Sequence, residues 1–272
     1  MNYRDIPVVL LCGGKGTRIK EMTETIPKPM VRIGEKPIMW HIMKGYSHHG
    51  FNNFVICLGF KGHVIKEFFL NYECMNSDFT VDLGKKDNIS LHNSHDENSW
   101  KVTLANTGEE AMTGSRIKQI QKYIQSDIFM LTYGDGVCNV DINRLLDFHL
   151  SHGKIGTVTG VRPPSRFGEL LVEGDLVRSF SEKPQTSEGR INGGFFIFNK
   201  EVFNYVTEAE NCIFEREPLE QLAIDGELMM YQHDDFWQCM DTVRDMQLLE
   251  KLWQEKKAPW KKWGNKVTAD VF

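Results

Sequence analysis

A continuous apolar run at residues 6–12 opens directly into Gly13-Gly14-Lys15-Gly16-Thr17-Arg18. A short run with no polar interruption is the pattern of a strand buried on both faces, and clustered glycines end it in a loop. Both faces of a sheet are covered when crossover helices pack on them, so helix and strand should alternate from here on. They do. Residues 37–50 read as a helix with Pro37 at its start and Gly50 as its stop, 53–58 as a second buried strand, and 61–72 as a second helix. The alternation predicts a largely parallel sheet with helices on both sides.

From about residue 79 to 106 the texture changes. Short segments at 79–83 and 100–104 flank a polar stretch at 85–99, which reads as an antiparallel excursion with a solvated loop. Residues 113–124 then place Ile117, Ile120 and Ile124 at helical spacing, and 128–132 return as a strand ending in Tyr133-Gly134-Asp135-Gly136. Residues 141–152 should be a helix. Strands near 156–161, 169–172 and 194–198 and helices near 217–224 and 243–256 complete the pattern, with no repeat, linker or low-complexity stretch.

The expectation is one α/β domain over 1–272. The excursion and a ligand-facing loop occupy about 74–112, and a basic tail occupies 257–272. With 41% hydrophobic residues the chain can bury a sizeable core, and with no run of about 18 apolar residues no membrane-spanning helix is expected. The net charge of −5 argues against non-specific nucleic-acid binding, which needs a broad basic surface. Six cysteines without a C-x-x-C pair, and an amino terminus without a signal-peptide pattern, suit reduced thiols and cytoplasmic residence.

Two local features carry chemistry. Directly after a strand, Gly13, Gly14 and Gly16 let backbone N–H groups approach a phosphate, and Arg18 adds a planar, permanently charged fork. The spacing matches neither G-x-G-x-x-G, which needs glycine where Ile19 stands, nor the G-x-x-x-x-G-K-[ST] loop. Shortly afterwards, Pro27-Lys28-Pro29 pins an extended backbone around a lysine, which suits a fixed point charge for phosphate. Histidine pairs at 48/49, 92/95 and 149/152 have tempting spacings but no accompanying cysteine or carboxylate cluster, which argues against zinc.

The order strand, L-x-G-G-x-G-T-R, then P-K-P-M resembles the sugar-1-phosphate nucleotidyltransferase family. Further segments make the chain similar to its glucose-1-phosphate cytidylyltransferase branch. These are Trp40-His41-Ile42-Met43-Lys44, Tyr133-Gly134-Asp135-Gly136, Arg166-Phe167-Gly168, Glu182-Lys183-Pro184, Asn192-Gly193-Gly194 and Met240-Asp241-Thr242. The similarity runs over roughly 6–263. It implies a Rossmann-like nucleotidyltransferase fold with a mixed central sheet and a small antiparallel addition.

The resemblance also implies roles. Asp135 and Asp241 would hold Mg²⁺, although taken alone Asp135 could be a turn former and Asp241 a helix cap. Arg18 and Lys28 would join those aspartates as catalytic residues. Leu11, Gly13, Gly14, Gly16, Thr17, Arg18, Lys28, Thr107, Thr113, Gly114, Arg116 and Gly134 would bind the nucleotide, and Gly168, Glu182, Lys183, Asn192 and Gly193 the sugar phosphate. Asn106 and Ser115 depart from the usual D-T-G and M-T-G-G-R, and serine fits that loop only if its φ is negative. The implied reaction joins CTP and glucose 1-phosphate, in a homo-oligomer (a hexamer by resemblance) that serves bacterial surface-polysaccharide synthesis. UTP, dTTP or a heptose 1-phosphate would suit the same chemistry, and a non-catalytic nucleotide-sugar sensor is the alternative of another class. Retention of Arg18, Lys28, Asp135 and Asp241 together argues against the sensor.

Overall fold

The computed structural model describes residues 5–84, 89–93, 95–163, 169–173, 176–181 and 189–264, with Arg18, Lys20, Glu21 and residues 169–173, 176 and 179–181 described by backbone alone. Seven strands form the central sheet: β1 (Val8–Leu11), β2 (Asn53–Leu58), β3 (Lys101–Asn106), β4 (Ile128–Tyr133), β5 (Gly156–Val161), β6 (Ile191–Asn199) and β7 (Leu228–His233). Their order is β7-β5-β6-β4-β1-β2-β3. β1 lies parallel to β2 and β4, β2 parallel to β3, and β5 parallel to β7, while β6 runs antiparallel to both of its neighbours. The sheet is therefore mixed and mostly parallel.

Period-two alternation splits β1 between two cores. Val8 and Leu10 face one side with Phe54, Ile56, Met130 and Ile197. Val9 and Leu11 face the other with Val55, Cys57, Phe129 and Leu131. The first face is covered by helices α1 (Ile38–His48), α2 (Gly62–Leu70), α4 (Ile142–His152) and α6 (Val243–Gln254), the second by α3 (Thr113–Gln119) and α5 (Glu217–Ile224). This is why the central strands read as unbroken apolar runs.

Helix ends follow local chemistry. Asp141 caps α4 by accepting from the N–H groups of Asn143 and Arg144, and Thr242 caps α6 in a reciprocal box with Asp245. The helix expected at 61–72 breaks at Asn71 and resumes as Tyr72–Asn76. The helix expected at 113–124 ends at Gln119, and its last turn tightens to a 3₁₀ turn at Gln121–Tyr123.

One topological expectation is corrected. Among the described residues of the excursion, Phe79–Val81 and Ile89–Leu91 form the antiparallel pair. The segment expected to join that excursion, 100–104, belongs to β3, which lies parallel to β2 at the edge of the central sheet. Its mixed polar and apolar pattern reflects a half-covered edge strand, because Lys101 and Asn106 are exposed while Ala105 is buried. Strand β7 on the opposite edge escaped the sequence reading for a similar reason: Met229 and Met230 are exposed.

Candidate active site

Strand order reverses at β1, with β2 and β3 on one side and β4 on the other. Open α/β sheets bind ligands in the crevice that this reversal leaves beyond the carboxyl ends. Here that crevice is an open cleft of about 350 Å³. One wall is the loop that follows β1. Gly13 O accepts from Phe60 N at 3.1 Å and from Arg116 Nη2 at 3.0 Å, and a Cβ on Gly13 would sit 2.1 Å from that guanidinium. Glycine is therefore required there by close approach. Gly16 turns the loop with φ +60°, and its carbonyl accepts from Thr23 Oγ1. Leu11, Gly13, Gly14, Gly16 and Thr17 all line the cleft.

The floor is formed by Lys28, Gly134, Asp135 and Asp241. Pro27 and Pro29 hold Lys28 in a 3₁₀ turn, where it is 9% exposed. Its Nζ lies 2.6 Å from Asp135 Oδ2 and 2.6 Å from Asp241 Oδ1. The two aspartates are brought side by side by a small antiparallel ribbon. Gly136–Cys138 pairs with Trp237–Cys239, and Met240 N–H donates to Asp135 O at 2.8 Å. Because Thr242 supplies the α6 cap, the Asp241 carboxylate is left for the cleft, and only its N–H is used by Asp245. Burial alone would push the Lys28 pKa down. The charges and hydrogen bonds of Asp135 and Asp241 outweigh it, so the ammonium is held above its ordinary value.

Two carboxylates aimed at one point, with a cation already standing there, fit a hard divalent ion. Their oxygen-only donor set suits Mg²⁺, which takes its remaining ligands from phosphate and water. Among the described residues no cluster of three or more His, Cys, Asp or Glu side chains could hold a metal.

Met112, Thr113 and Arg116 form a further wall of the cleft. Arg116 is a strut as much as a wall. Its guanidinium donates to the carbonyls of Leu58, Gly108, Gly13 and Glu109 and to Thr107 Oγ1, tying three loops together. Thr107 is fully buried behind this wall and donates to Leu58 O. Gly114 packs against Cys212, donating to its carbonyl at 2.9 Å, so it supports the wall rather than lining it. Ser115 lies inside α3 and donates to Glu208 O, and the described non-glycine residues with positive φ are Lys61 and Lys256. The departure from glycine at 115 is thus accommodated.

A smaller hollow continues past Asp135, lined by Asn192, Gly193, Tyr133 and Trp237. A Cβ on Gly193 would meet Val161 in β5, and Gly193 O accepts from Trp237 Nε1 at 2.7 Å. Gly168, Glu182 and Lys183 lie outside the described residues, as does the side chain of Arg18. Sequence reasoning passed over Tyr133, Trp237 and Glu215, whose carboxylate accepts from both Thr113 and Tyr133. The aromatic flank of the YGDG segment was the available signal for Tyr133; nothing local marked Glu215.

Fold and cleft together define an α/β protein with a glycine-lined, charged cleft at the switch point of its sheet. A family model described as nucleotidyl transferase matches residues 7–246, and the chain belongs to that family. It is 49% identical to the glucose-1-phosphate cytidylyltransferase of Salmonella typhi over 94% of this chain and 98% of the relative. The corresponding Salmonella typhimurium enzyme gives the same figures, 49% over 94% and 98%. Among solved structures, HddC from Yersinia pseudotuberculosis superposes with a TM-score of 0.65 at 25% identity, covering 91% of this chain and 99% of that one.

Proposed function

We propose that this protein transfers the cytidylyl group of CTP to α-D-glucose 1-phosphate, giving CDP-glucose and pyrophosphate. The observation that carries the reading is Lys28 held between Asp135 and Asp241 on the floor of the cleft, beside the glycine-rich loop. Near-full-length relatives bearing that activity's name, at 49% identity, select the base and the sugar. A phosphate oxygen of the sugar forms the new bond to the α-phosphorus while the bond from that phosphorus to the α,β-bridging oxygen breaks. Pyrophosphate leaves with the electron pair. The attacking phosphate is already ionised near neutral pH, so no general base is required. Backbone N–H groups at 13–17, with Arg18 and Lys28, receive the triphosphate, and Lys183 steers the sugar phosphate. Mg²⁺, held by Asp135 and Asp241, would neutralise charge between the two anionic reactants and on the departing pyrophosphate.

The enzyme is further proposed to act as a homo-oligomer, a hexamer by resemblance. Leu70 at the end of α2 and Met75 and Leu83 in the excursion, at 80%, 78% and 94% exposure, are large apolar side chains left to solvent, as a subunit contact would leave them. Six free thiols suit the cytoplasm, with CDP-glucose feeding surface-polysaccharide synthesis. Pyrophosphate release across a panel of nucleotides and sugar 1-phosphates should peak with CTP and glucose 1-phosphate. A different best pair would overturn the assignment. Asp135→Asn and Asp241→Asn should each cut turnover about a hundredfold or more at saturating Mg²⁺, as expected for loss of one preorganised electrostatic element.

A further inference from the structure

The nucleotide cleft and the smaller hollow share one aromatic side chain, Tyr133, which lines both. Its phenol donates to Glu215 Oε1. The other carboxylate oxygen, Glu215 Oε2, accepts the Thr113 hydroxyl proton at 2.6 Å. Thr113 Oγ1 in turn accepts from Phe214 N–H at 2.9 Å, which leaves its single proton directed at Glu215. Asn192, which lines the hollow with Tyr133, accepts Gly194 N–H through Oδ1 at 2.8 Å. Thr113, Glu215 and Tyr133 thus form one hydrogen-bonded chain from the nucleotide wall to a ring that lines the sugar-phosphate hollow.

A carboxylate suits the middle of that chain. It accepts through both oxygens and donates nothing, whereas an amide would turn an NH₂ group toward one of two hydroxyl donors. Glu215 is itself exposed and adds nothing to either core, so packing does not account for it.

We propose that Glu215 is a positioning residue that couples the two subsites, so that nucleotide in the cleft tightens sugar phosphate in the hollow and the reverse. The inference rests on the substrate reading above. Ordering the chain from one end lowers the cost of ordering it from the other, and such coupling is reciprocal.

Calorimetric titration with the non-reacting α,β-methylene analogue of CTP, with and without saturating glucose 1-phosphate, tests it. In the wild type each ligand should tighten the other by the same factor, about fivefold or more. E215A should bind each ligand alone but show coupling of less than about twofold, and E215Q should fall between. Melting temperatures within about 2 °C of wild type would show that the variants are folded. Tyr133→Phe, which removes one link, should lose coupling without a further loss when combined with E215A. Coupling in E215A equal to wild type, or none in the wild type, overturns the proposal while leaving the substrate reading intact. If the wild type bound neither ligand, both would fall together.

Discussion

At the scale of single residues, Lys28 answers the question that Asp135 and Asp241 pose. Two carboxylates that share one point repel each other, and an ammonium 2.6 Å from each offsets that repulsion. An arriving divalent cation must therefore displace or repel a positive charge. Lys28→Ala should bind Mn²⁺ more tightly than wild type when no nucleotide is present, on the order of tenfold, by paramagnetic resonance titration. Weaker Mn²⁺ binding in that variant would contradict a shared position. The same substitution should weaken CTP by about 1–3 kcal/mol, because triphosphate oxygens lose a charged donor in a partly dry cleft. Lys183→Ala should instead weaken glucose 1-phosphate. If calorimetry finds the two variants losing affinity for the same ligand, the division of the site is wrong.

At the scale of elements, the cleft depends on loops that hold one another. Arg116 is 4% exposed, and its fork meets carbonyls from the loops after β1, β2 and β3. Lysine would keep the charge but could not span that fan of acceptors. Arg116→Lys should cost about 2–4 kcal/mol of stability in chemical denaturation, since several buried carbonyls lose their donors, and CTP binding should weaken with it. An unchanged denaturation midpoint would show that the strut is dispensable. The α6 cap gives a milder test. Thr242→Ala should cost about 1 kcal/mol and, because the capping residue follows Asp241 directly, should lower turnover beyond that stability loss.

At the scale of the whole molecule, two buried histidines link the fold to pH. Burial pushes His41 down to about 4, against a hydrogen bond to Ile33 O, and pushes His149 down to about 4, against one to Asn199 Oδ1. Both are neutral in the folded chain above that value, whereas the unfolded chain takes up their protons below about 6.5. The unfolded state therefore binds more protons in this window, and stability should fall as pH drops from about 6.5 to about 4 and then level off. Their partners belong to packing rather than chemistry. His41 receives the Trp260 indole N–H at 3.4 Å, and His149 and His152 both bond Thr157 Oγ1. His149→Asn should flatten part of the slope in scanning calorimetry across that range. A slope identical to wild type would assign the acid sensitivity elsewhere. The six free thiols add a simple check, since intact mass under non-reducing, denaturing conditions should show no loss of hydrogen.

Much of this protein was legible one segment at a time, because the signals are local. Unbroken apolar runs marked β1, β2 and β4, glycine marked the loop that lines the cleft, and prolines marked the pinned Lys28. A Thr242-x-x-Asp245 box was also there to be read, and it would have freed Asp241 from the capping role in advance. What only the tertiary structure decided depends on partners far apart in the chain. A strand's polarity pattern reports how well its faces are covered and says nothing of its neighbour's direction, so β3 was placed in the wrong sheet. An arginine beside a ligand wall looks the same in sequence whether it meets phosphate or carbonyls, so the strut role of Arg116 waited for its acceptors. Glu215 is an exposed acid in an acidic stretch, given a role only by the convergence of Thr113 and Tyr133 on its two oxygens. Local pattern sets which faces are apolar and where the backbone can turn; which side chains then meet is settled by the packing of the sheet.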